Sequence, residues 1–85
     1  MIWVCTNPDG DKMTIECTDG AVAFNARALA AGVFDCEPHQ VECQADETAK
    51  PFYALRFQGN ASGANTLRLE IRERRNGRWT KWRRM

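Results

Sequence analysis

Alternation of apolar and polar positions, the period of a half-buried strand, recurs along this chain and gives way once to a helical period. Ile2 to Thr6 alternates and is aromatic or β-branched, Asn7-Pro8-Asp9-Gly10-Asp11 is dense in turn formers, and Met13 to Thr18 alternates again. Residues 1–18 therefore predict a hairpin. Thr18-Asp19-Gly20 offers a break and a cap before Ala21 to Ala31, where alanine dominates and Gly32 stands at the expected C-terminus of a helix. At 100° per residue, Val22, Ala26, Leu29, Ala30 and Val33 fall on one side, a narrow stripe able to cover a sheet. Phe24 lies nearly opposite, with Ala28 and Ala31. Burial on a second face is the expectation for so large a ring, and an exposed aromatic open to a partner is the alternative.

Val33 to Cys36 and Gln40 to Gln44 each read as a brief strand around Glu37-Pro38-His39. Ala45 to Pro51 is polar and ends in proline, hence a loop, and Phe52-Tyr53-Ala54-Leu55-Arg56-Phe57 reads as a well-buried strand. Gly59 to Asn65 is a second loop. Its Asn60-Ala61-Ser62 is formally a glycosylation acceptor, discounted because no export leader precedes it.

Asn76-Gly77 stands between two alternating runs, the dipeptide favoured in a two-residue type I′ turn. With these two residues as the loop, Arg75 faces Arg78, Arg74 faces Trp79, Glu73 faces Thr80, Arg72 faces Lys81 and Ile71 faces Trp82. Period two then places Leu67, Leu69, Ile71 and Trp82 on a core-facing side. Arg68, Glu70, Arg72, Arg74, Trp79, Lys81 and Arg83 fall on the other. Arg72 opposite Lys81 is a like-charge pair that sheets disfavour, so something must offset it. The pattern as a whole predicts one small α+β domain over residues 1–85. It comprises an N-terminal hairpin (1–18), one short helix (21–31) packed on a mostly antiparallel sheet, short strands (33–58) and a long C-terminal hairpin (66–85).

Charge changes the picture at that last element. Residues 68–84 hold seven arginines and Lys81 against Glu70 and Glu73, a charge of +6, whereas residues 1–67 carry −5, which leaves a net +1 that conceals two opposed halves. Composition is otherwise ordinary for a folded domain, at 44% hydrophobic and 27% charged. A chain of 85 residues buries about two-thirds of its unfolded surface or less, so its core is small. The N-terminus has no signal-peptide pattern and no stretch approaches the roughly 20 apolar residues of a membrane span, which points to a cytoplasmic protein without membrane association.

Cys5, Cys17, Cys36 and Cys43 form an even set that an exported protein would pair into disulfides, but without a leader they read as reduced thiols, Cys5 and Cys17 as core positions. The sharper alternative is a metal site from Cys36, His39 and Cys43, completed by Cys5 or Cys17. The absence of a tight Cys-x2-4-Cys knuckle argues against it, and no metal or other cofactor is expected. Catalysis is not expected either. The single histidine, His39, could pair with Cys36 or Cys43 only with an orienting third group that the sequence does not reveal, and there is no phosphate-cradling glycine loop.

What remains is binding. Arginine forks suit phosphate oxygens, an indole can stack on an unpaired base, and a two-stranded ribbon fits a duplex groove. The expected surface is Arg68, Arg72, Arg74, Lys81 and Arg83, extended by Arg75, Arg78 and Arg84, with Trp79 stacking. Its expected partner is nucleic acid or a nucleoprotein complex. The bland reading is that Asp9, Asp11, Glu16, Asp46 or Glu47 neutralises the ribbon and Trp79 stacks under arginines within the protein. A third reading is a protein-binding inhibitor or adaptor with a host protein as partner. In being short, leaderless and free of catalytic motifs the chain is similar in type to phage-encoded anti-host proteins such as anti-CRISPR proteins.

Overall fold

The computed structural model of the chain describes residues 1–18, 23–58 and 68–84, and of Ala23, Phe57, Gln58 and Arg68 the backbone only. Val22, Leu67, the loop expected over 59–65 with Asn60, and the helix cap expected at residues 19 and 20 lie outside them. The elements run β1 (Ile2–Thr6), β2 (Lys12–Thr18), α1 (Ala23–Phe34), a 3₁₀ turn (Pro38–Gln40), β3 (Glu42–Ala45), β4 (Tyr53–Gln58), β5 (Arg68–Arg75), β6 (Arg78–Trp79) and β7 (Arg83–Arg84). The strands form one sheet in the order β3-β1-β2-β4-β5-β6, with β7 also paired to β5. All pairs are antiparallel except β2 with β4. This is the expected small α+β domain.

The N-terminal hairpin forms as its turn chemistry dictates. Gly10 takes φ 87°, and the Asn7 side chain accepts the Asp11 N–H at 2.8 Å, a local bond that holds the loop. One face of the sheet then carries Cys5, Met13, Ile15, Cys17, Leu55 and Ile71, all buried, under Ala26, Leu29, Ala30 and Ala31 of the helix. The small side chains of Ala26 and Ala30 let the helix lie close to the strands.

Expectations about the helix and the segment after it are corrected. It does not stop at Gly32 but runs to Phe34, and Asp35 then takes φ 57° while the Cys36 N–H bonds the Ala31 carbonyl at 3.0 Å. That is a Schellman closure with aspartate in the left-handed position usually held by glycine, and it replaces the brief strand expected over Val33 to Cys36. The buried stripe is accordingly Ala26, Leu29, Ala30 and Ala31, with Val33 outside it. Phe24 is 74% exposed, not buried, because the helix has a sheet on one side only. The second brief strand, expected over Gln40 to Gln44, is present as β3.

Candidate functional site

The face of the sheet away from the helix is not covered by any described element, and the basic residues of the C-terminal hairpin divide between its two sides. Asn76 and Gly77 take φ 51° and 77°, as a type I′ turn requires, and next to the turn the register is the expected one, Arg75 with Arg78 and Arg74 with Trp79. Beyond Thr80 it shifts. Ile71 pairs with Arg83 and Glu70 with Arg84, so Lys81 and Trp82 together oppose Arg72, the arrangement of a β-bulge. At the bulge the Thr80 N–H still donates to the Glu73 carbonyl at 2.8 Å, but the Glu73 N–H donates to the Thr80 hydroxyl oxygen at 3.0 Å instead of to its carbonyl.

One inserted residue reverses the facing of everything after it. Trp82, expected in the core opposite Ile71, turns to the open face. Arg83, expected on the basic face, turns to the helix side, where its guanidinium lies 3.6 Å from the Glu73 carboxylate. The disfavoured Arg72–Lys81 pair is resolved in the same step. Lys81 is exposed, and the group beside Arg72 becomes an indole.

On the open face the result is a ladder of alternating cations and rings. The Arg74 guanidinium carbon is 4.6 Å from the centre of the Trp79 ring, and Arg72 is 4.6 Å from the same ring. Arg72 is also 4.5 Å from the Trp82 ring, and Arg56 of β4 is 4.1 Å from it. Reading along the stack gives Arg74, Trp79, Arg72, Trp82, Arg56. Arg56 Nε bonds the Glu70 carboxylate at 3.1 Å, which anchors the far end. Ala54, whose cross-strand partners are Glu16 and Arg72, is fully buried on this face, so the long neighbouring side chains lie over it. The Nε groups of Arg72 and Arg74 are buried without a hydrogen-bond acceptor among the described residues, although both residues are only half-buried overall.

The open face thus gathers Arg56, Arg72, Arg74, Trp79 and Trp82, with Arg84 at its edge by register with Glu70 and exposed Lys81 at the bulge. Arg75 and Arg83 sit with Glu73 on the opposite side, Arg75 at 2.8 Å from the carboxylate, and Arg78 is exposed opposite Arg75. The Arg68 side chain lies outside the described residues. Arg56 was missed as a site residue. Its signal was present in the sequence, since period two sets Ala54 and Arg56 on the face opposite Leu55.

No carboxylate of the acidic half is ion-paired with the ribbon among the described residues. Among the described residues the ion pairs all use Glu70 or Glu73. Asp46 accepts the Thr48 hydroxyl at 2.6 Å and its N–H at 3.0 Å, bonds that hold its carboxyl below the ordinary value. Glu47 accepts the Ile2 N–H at 3.1 Å, and Asp11 takes the Asn7 amide at 3.4 Å. These carboxylates close the turns of their own half.

No group of three or more His, Cys, Asp or Glu side chains is placed to hold a metal ion among the described residues, and Cys43 stands instead against Cys5. No described helix is long and apolar enough to cross a membrane. Comparison with family models, curated proteins and solved structures finds no match for this chain.

Proposed function

We propose that the protein binds nucleic acid, without catalysis and in a cytoplasmic setting, through the open face and edge of its C-terminal hairpin. The observation that carries this reading is the Arg74-Trp79-Arg72-Trp82-Arg56 ladder. Stacking on indoles holds the guanidinium planes in fixed orientation, which lowers the entropy lost when each engages a phosphate. A single carboxylate, Glu70, is ion-paired on this face among the described residues, so the cations of Arg72 and Arg74 are left for an external anion.

The ladder also supports one binding mode over another. Trp79 and Trp82 each have two guanidiniums against them, which supports an arginine-orienting role for Trp79 in place of the base-stacking role expected from sequence. Arg72, Arg74, Lys81 and Arg84 contact phosphates, and a two-stranded ribbon of this kind fits along a duplex. Arg75, Arg78 and Arg83, on the other side of the hairpin, add long-range attraction only.

Fluorescence anisotropy of labelled duplex and single-stranded oligonucleotides tests this. With about four phosphates engaged, affinity for duplex should fall with salt at a log–log slope of roughly −3.5. Arg72→Gln and Arg74→Gln should each weaken binding while retaining the fold. Absence of binding at low salt, or a slope near zero, would overturn the proposal. A second reading, binding to a protein, is favoured by Phe24, whose 74% exposure leaves a large ring in water. It predicts capture of one defined protein that is lost in Phe24→Ser and unaffected by Arg74→Gln.

A further inference from the structure

Cys5 and Cys43 are cross-strand partners in the antiparallel β1–β3 pair, and their sulfur atoms lie 3.3 Å apart. The hydrogen-bond pattern fixes what kind of pair they are. The Asp46 N–H donates to the Ile2 carbonyl at 2.9 Å, which makes Ile2 and Asp46 a hydrogen-bonded pair. Strict alternation then leaves Cys5 and Cys43 as a non-hydrogen-bonded pair. The other side of β1 agrees. Met1 and Cys17 exchange bonds of 2.8 and 3.2 Å, and Asn7 donates to the Asp11 carbonyl at 3.0 Å. The N–H and C=O groups of odd residues therefore point toward β2, and Cys5 presents none toward β3. Partners of the non-hydrogen-bonded class stand with Cα atoms about 4.5 Å apart and side chains close, inside the range of about 4.4–6.8 Å that a disulfide needs. Closing the 3.3 Å gap between the sulfur atoms to a bond of about 2.05 Å is then a matter of side-chain rotation.

The two thiols are unequal. Cys5 is fully buried, whereas Cys43 is half-buried and lines an open cavity of about 610 Å³ together with Lys12, Arg27, His39 and Glu42. Burial, and then the adjacent Cys43 thiol, push Cys5 well above the ordinary thiol value, so Cys43 is the group that meets a reagent first. The cavity sets two cations, Lys12 and Arg27, and the His39 imidazole against one carboxylate, Glu42, which favours an anionic visitor.

We infer that Cys5 and Cys43 form a redox-active dithiol whose cavity admits an anionic low-molecular-weight disulfide. Cys43 gives its proton to solvent, and its thiolate attacks one sulfur of the visitor. The visitor's S–S bond breaks, one thiolate leaves and takes up a proton, and a mixed disulfide remains on Cys43. Cys5 then loses its proton and attacks the Cys43 sulfur, which expels the second thiol. Two protein thiols are oxidised, one external disulfide is reduced to two thiols, and the product ties edge strand β3 covalently to β1.

The test uses the full chain with glutathione disulfide as probe, acid quenching, alkylation of remaining thiols, and peptide mapping by mass spectrometry. The expected product has lost two hydrogens, carries a Cys5–Cys43 link, and has Cys17 and Cys36 alkylated. Cys5→Ala should stop at one glutathione on Cys43, and Cys43→Ser should leave Cys5 a thiol. Arg27→Gln should slow the reaction several-fold with glutathione disulfide and leave the rate with neutral hydroxyethyl disulfide unchanged. Glutathione appearing on half-buried Cys36 as fast as on Cys43, or no Cys5–Cys43 link in the wild-type chain, would overturn the inference. Equal slowing of both probes by Arg27→Gln would overturn the anionic preference.

Discussion

A single aspartate decides where the helix ends. Asp35 at φ 57° occupies a region that an L-residue enters at a cost of about 1 kcal/mol, less for Asp than for most because its short side chain can bond locally. It is held there by the Cys36-to-Ala31 bond. Asp35→Gly should therefore raise stability by up to about 1 kcal/mol, read as a higher denaturation midpoint at unchanged m-value. The closure was illegible in the sequence because Gly32 imitates a terminus three residues before the real one, and aspartate carries only a faint left-handed preference. Phe24 was misread for a different reason. A wheel separates the two sides of a helix but does not say whether the molecule has a layer to spare for the second.

The elements themselves were largely legible. The two hairpins, the helix, β3, β4 and the I′ turn all follow from period and turn residues. The bulge does not, since it leaves the alternation of the return strand intact and is visible only as a mismatch between two registers. What favours it is local. The shift trades an Arg72–Lys81 contact for an indole between two guanidiniums, and the Thr80 hydroxyl replaces the carbonyl that the Glu73 N–H would otherwise lose. A consequence is that Trp79 and Trp82 are equivalent in kind. Each has two cation–π contacts worth about 0.5–1 kcal/mol apiece, so Trp79→Ala and Trp82→Ala should each cost about 1–3 kcal/mol in chemical denaturation. A loss confined to Trp82 would instead restore the core assignment expected from sequence.

At the scale of the molecule, the antiparallel β4–β5 pair joins the acidic residues 1–67, where Asp11, Asp46 and Glu47 bond within their own half, to a basic hairpin that is neutralised only in part among the described residues. The charge polarity was plain in composition. Its disposition on two faces was not, because it depends on the bulge. The core between helix and sheet is small and holds thiols among its apolar groups. Burial pushes the Cys17 thiol up to about 11, above the roughly 8.5 of an unfolded cysteine. The folded state thus holds the proton more tightly. This contribution is complete below about pH 8.5 and is lost as pH rises toward 11. The melting temperature should fall across that window, and less steeply in Cys17→Ala, where the titrating group is gone.

Trp79 and Trp82 share one guanidinium, and that proximity has an optical consequence. Two indoles so close and rigidly held couple their electronic transitions, so the hairpin should imprint a paired positive and negative band on the far-ultraviolet circular dichroism spectrum. Arg72→Gln should diminish the couplet by removing the group between the rings, and either Trp→Phe replacement should abolish it. The chain would then carry its own unlabelled reporter of whether the ladder is assembled, readable during titration with any ligand that does not absorb in that range.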